Sequence, residues 1–145
     1  MMTLKTLLIA GTAAFALTAS FAPAKAGSYL SLEQYGAGNT FGSAQRGPRN
    51  RLTIYQQGYR NNALGAQTGA RNRVVIGQEG RWNRADTTQY GRGNIAGVAQ
   101  FGRGHTAITT QDGNGNAIGV IQAGRGNHAN VTQIGRGNVS VIVQD

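Results

Sequence analysis

The chain has 145 residues with 23 glycines, two prolines and no cysteine, and 14 Lys and Arg against five Asp and Glu give a net charge of +9. The absence of cysteine excludes a disulfide-stapled secreted scaffold, and apolar residues are too sparse for an ordinary globular core of this size. No Ser-His-Asp set or carboxylate pair forms a plausible catalytic constellation, so an enzyme is not expected.

Residues 1–26 differ from everything after them. Lys5 precedes an apolar run, LLIAGTAAFALTASFA, and Ala24-Lys25-Ala26 is a small-x-small cleavage site. This pattern predicts a secretory signal peptide rather than a membrane anchor, the run being short and rich in Ala and Thr. Both lysines, Lys5 and Lys25, lie in this segment. Residues 27–145 therefore carry 12 arginines, no lysine and five acids, a net charge of +7.

From there on the chain repeats. Gln34, Gln45, Gln56, Gln67, Gln78, Gln89, Gln100, Gln111, Gln122, Gln133 and Gln144 stand eleven residues apart. A glycine follows two places after ten of them, at Gly36, Gly47, Gly58, Gly69, Gly80, Gly91, Gly102, Gly113, Gly124 and Gly135. Three places later come Asn39, Asn50, Asn61, Asn72, Asn83, Asn94, Asn116, Asn127 and Asn138, with His105 where one asparagine belongs. A fixed period of this kind marks a repeat architecture.

The seven residues from each Asn to the next Gln read as a strand, on which side chains alternate faces. One face holds Asn, two small or apolar residues and Gln, as in Asn50, Leu52, Ile54 and Gln56. The other holds Arg51, Arg73, Arg84, Asp86, Asn130 and several threonines. The four residues between strands, such as Tyr90 to Gly93, read as a turn in which glycine supplies positive φ. Pro48 is expected in one such turn, and Trp82 at the surface of another.

A second period lies over the first. Four places after the Asn position, one strand class has Ile54, Ile76, Val98, Val120 and Ile142; the other has Ser43, Gly65, Thr87, Thr109 and Val131. The structural unit is thus two strands. Ser28 opens the first strand in the asparagine place. The expected fold is all-β, a parallel β-solenoid of cross-β type with five 22-residue strand-arc-strand rungs at 28–49, 50–71, 72–93, 94–115 and 116–137. A half rung, 138–145, follows.

Rungs in parallel register at about 4.8 Å would make a stack roughly 26 Å tall. Each Gln and each Asn would then lie over its equivalent 22 residues away, so that the amides form ladders along the axis. An unpaired buried amide costs about 1–3 kcal/mol, whereas a ladder satisfies every member except those at its ends. Stacking, not local propensity, must decide this fold.

The motif Gln-x-Gly-x-Gly-Asn-x-Ala-x-x-x-Gln is complete at 89–100 and 122–133, and stands with one change at 34–45 (Phe41), 111–122 (Ile118) and 133–144 (Ser140). With SYLSLEQYGAGN at 28–39, the mature chain resembles the curlin family, the subunits of curli fibres. The resemblance implies export through the outer-membrane curli secretion pore. It also implies assembly, as a homopolymer or with a paralogous curli subunit, into extracellular functional amyloid on the bacterial surface for adhesion and biofilm matrix. A minor nucleator that templates fibre growth is the alternative role, and a non-polymerising repeat adhesin a weaker one. Two departures stand out. The glycine-rich N-terminal targeting segment of the major subunit is absent, and Arg49, Arg60 and Arg71 replace the second glycine of their turns.

Gly-Arg-Gly recurs at 91–93, 102–104, 124–126 and 135–137. Spacing that follows the rung makes Arg92, Arg103, Arg125 and Arg136 exposed corners of turns rather than a specific nucleic-acid motif. Their stack would form a basic edge that attracts anionic matrix polymers nonspecifically. His105 and His128 are too few for a metal site, and no cofactor is expected. Thr88, Thr110 and Thr132 align at 22-residue spacing, but Ala44 and Ala66 interrupt the column, which disfavours an ice-binding threonine array. In the half rung, Val139, Val141 and Val143 make the outer face apolar while Ile142 points inward. Strands without charge, proline or a cap are open to pairing, so these four residues are expected to form a polymerisation edge.

Overall fold

The computed structural model describes residues 27–145; the expected signal peptide lies outside them. Eleven strands follow one another: β1 (Tyr29–Ala37), β2 (Thr40–Arg46), β3 (Arg51–Tyr59), β4 (Asn62–Ala70), β5 (Arg73–Arg81), β6 (Arg84–Arg92), β7 (Ile95–Arg103), β8 (Thr106–Asn114), β9 (Ala117–Arg125), β10 (His128–Arg136) and β11 (Val139–Gln144). Odd-numbered strands form a six-stranded sheet in the order β1-β3-β5-β7-β9-β11. Even-numbered strands form a five-stranded sheet, β2-β4-β6-β8-β10. Every neighbouring pair is parallel, and partners lie 22 residues apart, Gln56 beside Gln78 and Gln100 beside Gln122. The fold is the parallel β-solenoid that the period predicts.

Strands run longer than the seven residues of the sequence pattern. Pairing continues round the corners, through Gly58↔Gly80 and Tyr59↔Arg81, because each arc lies on an arc of the same shape. Between β6 and β7 only Gly93 and Asn94 fall outside the strands. The exceptions are β11, with six residues, and β2, which stops at Arg46 just before the turn containing Pro48. Proline has no N–H to give to the ladder.

The core is a thin layer between the sheets. Leu52, Ile54, Val74, Ile76, Val98, Ile118 and Val120 enter it from the six-stranded sheet, and Ala63, Ala85, Ala107, Ala129 and Val131 from the other. Large faces small across it: a Cβ added to Gly65 would come within 2.7 Å of a Leu52 methyl. Leu30, Leu32, Phe41 and Ile142, on the outermost strands, are only partly covered.

Candidate functional site

Two amide ladders run the length of the stack. The Nε2 of each of nine glutamines, from Gln34 to Gln122, donates to the Oε1 of the glutamine one rung on, at 2.5–3.0 Å. The second Nε2 hydrogen crosses to the facing sheet. Gln56 donates to the Thr40 carbonyl at 3.0 Å, Gln67 to Arg51 at 3.0 Å and Gln100 to Arg84 at 2.8 Å. Most glutamines therefore hold both their own column and the opposite corner; Gln34 and Gln111 make the column bond alone. Gln56 to Gln122 are essentially without solvent exposure.

The asparagines brace the arcs. The Oδ1 of Asn72 accepts the Asn94 backbone N–H at 3.0 Å. Asn94 Nδ2 donates to Tyr90 O in its own arc and to Gly113 O in the next, both at 2.9 Å. Asn50, Asn61, Asn72 and Asn83 repeat this double donation. The glycine two places after each Gln completes the device. Gly91 has φ 104°, and a Cβ there would overlap the same Gly113 carbonyl that Asn94 holds. The position thus excludes any side chain for two reasons at once.

Two substitutes occupy asparagine places. Ser28 Oγ donates to Gly47 O at 2.9 Å and accepts the Asn50 N–H at 3.3 Å. His105 is fully buried. Its Nδ1 accepts the Asn127 N–H at 3.2 Å, which leaves Nε2 to carry the proton and donate to Phe101 O at 3.1 Å. The ring reproduces one of the two donations an asparagine makes.

The ladder ends differ in their surroundings. Gln34, Asn39 and Gln45 are half-buried on β1, β2 and the arc between them, and Asn138 is exposed before β11. Val139, Val141 and Val143 are 75%, 69% and 64% exposed, while Ile142 packs against the core. Arg92, Arg103, Arg125 and Arg136 do not share one edge. Arg92 and Arg136 lie on arcs that lead into the six-stranded sheet, whereas Arg103 stacks on Arg81 and Arg125 at the opposite corner. Arcs alternate sides every eleven residues, so a motif recurring at that period divides between them. Trp82 is a half-exposed arc residue at φ 58°, edge-on to Tyr59. Thr88, Thr110 and Thr132 adjoin one another, with Ala66 beside Thr88 and Ala44 beside Ala66. Among the described residues, no group of three or more His, Asp or Glu could hold a metal ion.

The family model of the curlin associated repeat matches residues 47–80, 83–108 and 106–135. The chain belongs to the curlin-repeat family. Those matches cover more than half of it and span the arcs and strands in which the ladders are most deeply buried. No curated protein matches the chain. Family and fold together make this curlin-repeat chain a curli-type structural subunit rather than an enzyme. The conspicuous residues of its repeat serve stacking: glutamine along the axis, asparagine and glycine around the arc.

Proposed function

We propose that this protein is a secreted subunit that polymerises into extracellular curli-type amyloid fibres, serving adhesion and biofilm matrix. The observation that carries this function is the direction of the glutamine ladder. Every Nε2 points toward the next rung and every Oε1 toward the previous one. Copies stacked head to tail meet donor to acceptor; copies stacked head to head meet acceptor to acceptor. A head-to-tail contact does not close on itself and generates a filament. The residues of the two ladders and their arc glycines are, in this function, the elements that template one rung on another. Val139, Val141, Ile142 and Val143 form the polymerisation edge, their exposed valines being strongly β-forming. Residues 1–26 act as the signal for export, followed by passage through an outer-membrane pore.

The test is incubation of the purified mature chain alone. Thioflavin binding and a fibre reflection near about 4.7 Å are expected without added seed. Growth only on preformed seed would identify a client of a separate nucleator, and a persistently soluble monomer would refute polymerisation. Deleting residues 138–145 is expected to lengthen the assembly lag.

A further inference from the structure

The tripeptide Arg-Asn-Arg occurs twice, 22 residues apart, at Arg49-Asn50-Arg51 and Arg71-Asn72-Arg73. The solenoid places both on one edge in successive rungs. Arg51 pairs in register with Arg73, and Arg71 N–H donates to Pro48 O at 3.1 Å to stack the arcs. The four arginines line a cleft of about 320 Å³ with Gly27 and Tyr29. All four are exposed. Among the described residues the single ion pair is Arg84–Asp86, elsewhere on β6, so no carboxylate neutralises the cleft.

This arrangement is unfavourable in two independent ways. Arg49 and Arg71 both have φ 59°, where the next rungs of the same arc carry Gly93, Gly115 and Gly137 at 65–70°. A side chain with a Cβ is strained there, and strain of this kind gathers at functional positions. Like charges also stack at one rung spacing, about 4.8 Å. Two other non-glycine residues share the strained conformation, Arg60 and Trp82, but each has a partner. Arg60 lies over the Tyr59 ring at 4.8 Å, and Arg81 lies over Trp82 at 5.6 Å. Arg51 lies over Tyr29 at 5.3 Å. Arg49 and Arg71 have no aromatic or acidic partner among the described residues.

We propose that this cleft is an anion-binding site for a ligand carrying at least two adjacent phosphate groups. A guanidinium donates in a planar fork that matches phosphate oxygens, and two such forks per tripeptide suit an anion with several acceptor oxygens. One phosphate sits between the arginines of one tripeptide, and its neighbour between those of the other. A free oligophosphate and a nucleic-acid backbone share this chemistry.

Isothermal titration of the purified protein with sodium tripolyphosphate, and in parallel with a single-stranded oligonucleotide, tests the site. One saturable site per chain is expected for tripolyphosphate. Binding of both probes would assign the backbone chemistry, and of tripolyphosphate alone the free oligophosphate. Arg49→Gly/Arg71→Gly should weaken binding at least about tenfold while circular dichroism stays that of the wild type, since glycine relieves the strain. Arg92→Ser/Arg136→Ser removes equal charge from the same edge and should leave the affinity within about twofold. Arg51→Lys/Arg73→Lys keeps the charge but loses the forks and should weaken binding several-fold. Equal losses in the glycine and serine pairs, unsaturable binding, or equally tight binding of polygalacturonate would each overturn the proposal in favour of diffuse charge attraction. None of these outcomes depends on fibre formation.

Discussion

The two sheets carry the same amides and different cores. In the six-stranded sheet the inward pairs are mostly large, Leu52 with Ile54 and Val74 with Ile76; Ala96 and Ser140 are the small members. In the middle of the five-stranded sheet, on β4, β6 and β8, the pair is small, Ala63 with Gly65, Ala85 with Thr87 and Ala107 with Thr109; Phe41 on β2 and Val131 on β10 are larger. In the middle of the stack the glutamines of both are buried and bonded to the next rung in the same way. Adjacent eleven-residue repeats are therefore interchangeable as hydrogen-bonding units but not as packing units. A layer this thin has no room for two large faces, and two small ones would leave it hollow.

The sharpest way to break that division of size is at Leu52. Leu52→Ala is expected to lose about 3 kcal/mol in guanidinium unfolding, through lost burial and the cavity left behind. Gly65→Leu alone should lose about 2 kcal/mol by overpacking against Leu52. Together the two changes transpose large and small, and the double variant should recover at least about 1 kcal/mol relative to the sum of the singles. Strict additivity would show that the sheets do not match size against size.

The shared amides should respond alike in both sheets. Gln100→Ala and Gln89→Ala leave donors and acceptors of neighbouring rungs unpaired, and each is expected to destabilise by about 2 kcal/mol. Both should slow assembly more than Thr106→Ala, whose side chain faces outward. A marked difference between the two glutamines would mean that the ladder, too, is specialised by sheet.

Smaller effects test the polar residues peculiar to the five-stranded side. Thr109 Oγ1 donates to Thr87 Oγ1 at 3.0 Å inside the core. Thr109→Val should lose about 1 kcal/mol, while Thr87→Val/Thr109→Val, which removes both partners, should lie nearer the wild type. The smallest change is a gain. His105→Asn restores the second donation of the asparagine column, toward Gly124 O, and should raise stability by up to about 1 kcal/mol. A denaturation midpoint below that of the wild type would show that the imidazole packs better than it bonds.

Much of this architecture was legible in the spacing of a few residue types. The eleven-residue period in glutamine places one amide per strand, and strand alternation then sets which residues face inward. The 22-residue alternation between Ile54-type and Gly65-type positions pairs strands two apart. These follow from sequence because parallel in-register stacking brings like residues together, so periodicity along the chain becomes adjacency in space. Fold class needed no knowledge of the arcs.

Contacts between unlike positions required the tertiary structure. The bond from Gln56 to the Thr40 carbonyl and the fit of Leu52 against Gly65 cross the core. No repeat spacing specifies how one sheet is offset from the other. The arcs explain the division of Arg92 and Arg136 from Arg103 and Arg125, and the meeting of Arg49, Arg51, Arg71 and Arg73 around one cleft. The rung, its period and its amide columns can be read from residue spacing alone, since a translational repeat encodes its own neighbours. Cross-sheet packing, the tautomer of His105 and the placement of charge emerge in the folded chain, since these depend on how the chain turns between strands.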